Sequence, residues 1–302
     1  MGTLARIVVV ATDEPHARRA IERAAGAVRS VAASMSTYRP ESEISILNRN
    51  GANAEIPLSE NVVHVLERSV QFCELTGGAF DVTYAPLRSL WRRAEERGVT
   101  PTDEEISAVR ARVGSKLMRL SRSSCLFGTP GMAVDLGGIA KGFAIDLACE
   151  ALRAEGIDGA LVDIGGDMRT LGRRPGGEAW KVLVNDPTPG ENPPLILLLA
   201  DRAVATSGDY QRFFTIDGQR FSHIVDPRTG RPVESIPSAT VIARDALTAD
   251  ALATAISVLG PGAARPLIES LDGAECLILS TREASGPRIV KSSGFDAFCQ
   301  AR

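Results

Sequence analysis

One acid stands alone in a long apolar run. In ALTADALATAISVL, residues 246–259, Asp250 is the single charged side chain between Asp245 and Arg265. Such a helix is expected to be buried nearly all round, and an unpaired carboxylate there costs several kcal/mol or takes up a proton. Asp250 needs a partner. Thr254 lies four residues on, on the same helix face, and a carboxylate beside a hydroxyl makes a hard oxygen pair suited to Mg²⁺. An Asp satisfied by a backbone N–H or an arginine is an equally open reading. A second stretch, VDLGGIAKG at 134–142, places two glycines at a helix start with Lys141 behind them. Unobstructed amides and a mobile ammonium there would hold a phosphate or pyrophosphate. The P-loop spacing is absent, and a tight strand-to-helix turn with Lys141 in solvent is the plain alternative. Of three histidines, His16 and His64 fall on polar helix faces and are expected to be solvated. His223, in RFSHIVDPRTGRP, follows a strand end and can serve as a general acid or base, or as a structural hydrogen-bonding group.

The elements that must position these groups are legible in part. The chain has 302 residues, 44% of them hydrophobic, enough for a large core in one domain or two. A net charge of −3 gives no broad basic field, which argues against nucleic acid or an anionic membrane as main partner. The five cysteines are scattered and lack C-x-x-C spacing, against a zinc site or disulfide framework. The opening apolar run, Ile7 to Ala11, is too short for a membrane span or signal core and predicts a first strand. No export signal and no transmembrane segment are expected, and as written the chain reads as cytoplasmic with the compartment open.

Apolar steps of three and four residues predict helices over 15–35 and 59–76. AFDVTYAPL alternates as a strand would, and the charged segment 91–120 reads as helical, with a capping box at 102–105. Strands are expected at 160–164, 180–184, 195–204, 212–216, 220–225 and 238–243, with Asp217-Gly218 as a hairpin turn. A helix over 246–259 stops at Gly260-Pro261, and a short helix and two strands finish the chain. Strands mixed with helices but without strict βαβ alternation predict an α+β fold. The loop 174–177 and the proline-rich patch 187–194 are too short to separate domains convincingly.

Taken together the chain resembles the ApbE family of FAD:protein FMN transferases. The resemblance runs through MGT (1–3), MSTYRPESEISILN (35–48), TGGAFDVTYAPL (76–87) and VDLGGIAKGFAID (134–146). It continues in DIGGDMR (163–169), ATSGDYQRFF (205–214), HIVDPRTGRP (223–232) and ADALATA (249–255). It implies one T-fold-like domain over 1–302, or two intimately packed lobes, with mixed, largely antiparallel sheets packed with helices. It implies Mg²⁺ held by Asp250, Thr254 and a backbone carbonyl of the Gly-Gly turn, taken as Gly138. It further implies FAD contacts from Met35, Ala79, Phe80, Asp81, Asp135, Lys141 and Ile224, although Met35 and Phe80 fit core packing as well. Asn48, Ser207 and Asp209 are weaker candidates for the same cleft. The implied reaction moves the FMN part of FAD to a Thr or Ser hydroxyl of a partner flavoprotein and releases AMP. His223, Asp250 and Lys141 are expected to carry the chemistry. An FAD pyrophosphatase and a non-catalytic FAD-binding protein are the alternatives. Family members are often exported or lipid-anchored, whereas no lipid-anchoring cysteine stands at this opening.

Overall fold

The computed structural model describes residues 2–184, 195–208, 213–233, 238–280 and 288–300. In chain order the first half comprises β1 (Ala5–Val10), α1 (Glu14–Met35), α2 (Glu43–Asn50), β2 (Ile56–Pro57), α3 (Glu60–Leu75), α4 (Ala85–Arg97), α5 (Asp103–Arg110), β3 (Met118–Leu120), β4 (Ser124–Phe127) and α6 (Ala140–Ala154). The second half adds β5 (Gly159–Ile164), β6 (Asp167–Leu171), β7 (Trp180–Val184), β8 (Leu195–Leu199), β9 (Ala203–Ser207), β10 (Phe213–Ile216), β11 (Gln219–Ser222), β12 (Ser238–Ala243), α7 (Ala246–Glu269), β13 (Glu275–Ser280) and β14 (Arg288–Lys291). This is the α+β class read from the sequence.

The frame is a seven-stranded sheet in the order β1-β5-β6-β9-β12-β13-β14, antiparallel at every pairing. The central strand β12 is buried on both faces while the edge strand β1 is half-buried to exposed, and alternation decides which residues meet which layer. On β9, β12 and β13, Ala205, Val241 and Ile278 face the helices, in the same cluster as Ile145 of α6 and Leu252 and Ile256 of α7. Val204, Ile242 and Leu277 face the other way, onto Val182 and Leu197 of the β7-β8 hairpin. A third cluster joins Leu87, Leu90 and Trp91 of α4 to Phe214 and Ile216 of β10 and to Val225. Trp91 Nε1 donates to Gly230 O at 2.8 Å, tying α4 to the loop that carries His223.

Helix starts follow capping chemistry. Asp13 accepts from His16 N at 2.8 Å to open α1, with Pro15 in its first turn. Thr102 and Glu105 form the expected capping box of α5. The hairpin of β10 and β11 turns at Asp217 and Gly218, both at positive φ, as their types predict.

Three expectations change. AFDVTYAPL is not a strand: Val82–Tyr84 forms a 3₁₀ turn and α4 begins at Ala85, because the Asp81 carboxylate accepts from Thr83 N and closes a turn instead. The segment 91–120 is helical only in part and ends in β3. The run 195–204 is two strands, broken at Asp201 with φ 52°. The expected stop at Gly260-Pro261 holds: Gly260, with φ 75° and ψ 167°, is non-helical and divides α7 into a long helix and the short one that follows it to Glu269. By length and mean hydropathy, 1.3, α7 could cross a membrane, but Ala249, Leu252, Ala253 and Ile256 are packed in the core. The patch 187–194 and Asp209 lie outside the described residues.

Candidate active site

The start of α7 is fixed by two carboxylates. Asp245 accepts from Thr248 N at 2.8 Å, and Asp146 of α6 accepts from Ala246 N at 2.9 Å and Leu247 N at 2.8 Å. Both satisfy amides at the positive end of the helix, and Arg169 of β6 pairs with Asp146. Burial pushes the Asp146 carboxyl up to about 6 against the pull of Arg169 and the two amides. With its start held this way, α7 directs Asp250 at the first turn of α6. The Asp250 side chain is 3% exposed; Oδ1 accepts from Lys141 Nζ at 2.7 Å and Oδ2 from Gly142 N at 3.1 Å. A Cβ on Gly142 would lie 2.1 Å from Ala246 O, so only glycine lets α6 and α7 approach this closely.

Lys141 answers a second acid. Its Nζ lies 2.6 Å from Oδ2 of Asp167, the first residue of β6, whose side chain is also 3% exposed. Asp167 Oδ1 accepts from Thr206 N of β9 at 3.2 Å, while Oδ2 makes no hydrogen bond of good geometry despite its closeness to the ammonium. Burial pushes the Asp167 carboxyl up to about 7; Lys141 pulls it down and Asp250 pushes it up again. Burial also works against the Lys141 ammonium, but the two carboxylates outweigh it and hold its pKa above the usual lysine value.

One turn beyond Asp250, Thr254 meets the Gly-Gly corner: a Cβ on Gly138 would lie 2.8 Å from Thr254 Oγ1. Ser207 Oγ, at the end of β9, is 3.4 Å from the same hydroxyl. The structure thus brings Gly138, Lys141, Asp250 and Thr254 together, with Ser207 beside them. The donor set fits Mg²⁺. All its ligating atoms would be hard oxygens, and two buried carboxylates against one ammonium leave an excess negative charge. Among the described residues no group of three or more His, Cys, Asp or Glu could form an all-side-chain cage. A site with few protein ligands suits an ion that keeps coordination positions for phosphate and water.

Asp135, two residues before Gly137 at the Gly-Gly corner, links it to a rim of further candidates. Asp135 Oδ1 accepts from Gly137 N at 2.8 Å, and Oδ2 pairs with Arg88 of α4. Arg88 Nη2 donates to the hydroxyl of Tyr38, whose side chain is largely exposed. The Asn48 amide makes both bonds to Val134, at 2.9 and 2.8 Å, and Asp135 N donates to Val82 O at 2.7 Å. These bonds bring MSTYRPESEISILN, AFDV and VDLGG side by side. Asp81 is spent on the loop itself, accepting from Thr83 N, Thr83 Oγ1 and Ser115 N. Ala79 is buried; Met35 and Phe80 are packed in the core, the Phe80 ring edge-on to Phe72. His223 and Ile224 are half-buried in the segment after β11, where Ile224 N donates to Ser222 Oγ at 3.1 Å. That segment packs on the glycine turn after α3, since a Cβ on Gly78 would lie 3.5 Å from Arg228 Cγ. His16 is half-buried rather than solvated, its Nε2 2.7 Å from Glu155 O, whereas His64 is exposed as expected.

Residues 1–278 match the ApbE family. This chain belongs to that family. It is 35% identical over 268 residues to the FAD:protein FMN transferase of Vibrio cholerae, covering 87% of this chain and 80% of that one. With the Salmonella typhimurium protein of the same name it shares 33% over 309 residues, covering 99% and 87%. The solved flavin transferase ApbE from Vibrio cholerae superposes with a TM-score of 0.85 at 32% identity, covering 99% of this chain and 96% of that chain. The ApbE protein of Thermotoga maritima gives 0.87 at 32%, covering 99% and 97%.

Three residues of this ApbE family member's site escaped sequence reasoning: Asp167, Gly142 and Arg88. A signal existed for Gly142, because a glycine inside a helix costs about 1 kcal/mol and is kept where another backbone comes close.

Proposed function

We propose that this chain is an FAD:protein FMN transferase, moving the FMN part of FAD to a Thr or Ser hydroxyl of an acceptor flavoprotein. The observation that carries the reading is the cation-seeking cluster of Asp250, Thr254 and Gly138 at the opening of α6, within a fold whose relatives bear that enzyme name. We treat 1–302 as one transferase domain. The Lys141 ammonium attracts the pyrophosphate, whereas the amides of Gly137, Ile139, Ala140 and Gly142 are already engaged within the chain. Asp250, Thr254 and the Gly138 carbonyl would hold Mg²⁺, which when bound neutralises charge building on the bridging and leaving oxygens. His223 accepts the proton of the acceptor hydroxyl, the new P–O bond forms on the FMN phosphorus, and AMP departs with the bridging oxygen.

The flavin is assigned to the rim. Asp135, Ile224 and the Ala79, Phe80 and Asp81 loop line it, and Met35 supports it from the core side. Because the Phe80 side chain and the Asp81 carboxylate are already engaged, that loop would present its backbone.

Incubation with FAD, Mg²⁺ and a flavoprotein carrying an acceptor Thr or Ser, read by intact mass, tests the reading. A mass gain of one FMN with stoichiometric AMP supports it. Free FMN with AMP and no mass gain indicates a pyrophosphatase, and bound FAD without products a carrier; either outcome overturns it.

A further inference from the structure

The three charges at the α6 start are unequal in what holds them. Asp250 has one oxygen on Lys141 and the other on the Gly142 amide. Asp167 has Oδ1 fixed by Thr206 N of β9, while Oδ2 faces Lys141 Nζ at 2.6 Å without a well-formed hydrogen bond. Lys141 thus already bridges the two acids, with its ammonium 2.6 Å from Asp167 and 2.7 Å from Asp250. Asp167 also sits on β6, a different element from α6 and α7, so its position does not follow Asp250.

A cation that takes Asp250 must displace Lys141 from Oδ1. Left without an anion, a mostly buried ammonium would resist that exchange. We propose that Asp167 is a positioning residue: it gives Lys141 a second anchor, so that Asp250 passes to a divalent cation while the lysine stays at the α6 N-terminus. The charges then divide into two pairs, Asp167 with Lys141 and Asp250 with the metal, instead of two acids sharing one ammonium. This inference rests on the metal reading above and adds Asp167, which that reading leaves out.

The test is a double-mutant cycle on the FAD-free, full chain, with Mg²⁺ affinity measured by calorimetry and Mn²⁺ affinity by electron paramagnetic resonance. With Lys141 present, Asp167→Asn weakens the ion about tenfold, the size of a coupling between contacting charges. In the Lys141→Met background the same substitution changes affinity less than about twofold, because Asp167 acts through the lysine. An equal loss in both backgrounds would make Asp167 an independent charge and overturn the proposal, as would no loss with Lys141 present. A parent chain that binds neither ion overturns the metal reading itself, and this proposal with it. Circular dichroism checks folding. Should Asp167→Asn fail to fold, Lys141→Met alone is expected to tighten Mg²⁺ about tenfold, and unchanged or weaker binding overturns the proposal.

Discussion

At the contact of α6 and α7, charged groups are held by partners from other elements: Asp250 by Lys141 and the Gly142 amide, Asp146 by Arg169 and the α7 amides, Asp167 by Thr206 N. At the rim, Tyr38 and Arg88 are exposed or partly so, and Arg88 bonds to both Asp135 and Tyr38. The inner region therefore has its carboxylates placed before any ligand arrives, as electrostatic preorganisation requires, with Lys141 the one contact a cation must displace. The exposed Arg88–Tyr38 bond can be exchanged for a ligand bond at small cost, whereas the Asp135 carboxylate paired with Arg88 is only 10% exposed and needs its partner. On the proposed function, chemistry belongs to the first region and recognition to the second.

Substitutions can break that division of labour. The largest effect is expected from Asp250→Ala, which should lower FMN transfer by about a thousandfold or more while the chain stays folded, read by AMP release and circular dichroism. Gly142→Ala forces a Cβ against Ala246 O and should destabilise by about 3 kcal/mol, seen as a lower denaturation midpoint. Asp146→Asn sharpens the comparison through pH. The native carboxyl, at about 6, binds its proton earlier than in the unfolded chain, where it titrates near 3.8. Its contribution to stability therefore rises as pH falls through 6 and is lost as pH rises through it. The stability gap between parent and Asp146→Asn should widen by up to about 3 kcal/mol between pH 7.5 and 4, measured by urea melts. Smallest is Tyr38→Phe at the rim, which removes only the exposed bond to Arg88: FAD affinity should change by about threefold or less with kcat kept, measured by flavin fluorescence and initial rates.

The same division explains what could be read from the sequence. Asp250 was legible because a lone acid in an apolar helix must be answered, and the i+4 spacing placed Thr254 beside it. Its partner was not, because Lys141 is 109 residues away and only the packing of α6 on α7 joins them. Asp167 lay within a quoted block, yet an acid beside a Gly-Gly turn has the composition of any hairpin corner. The alternation of AFDVTYAPL misled because the two-residue step there comes from Asp81 closing a turn on Thr83. The helix α2 was hidden inside MSTYRPESEISILN, whose Ser42 cap accepts from Ser45 N at 3.0 Å but whose apolar residues span only two turns. The antiparallel character of the large sheet was legible in outline, while its strand order, with β1 beside β5, depends on contacts far apart in the chain.

The central claim is that chemistry at the α6–α7 contact runs through a divalent cation shared by Asp250, Thr254 and Gly138. The most direct measurement is AMP release and FMN mass gain on an acceptor in EDTA, then after Mg²⁺ is restored. The account expects both signals to vanish together and return together, and full transfer in EDTA would contradict it.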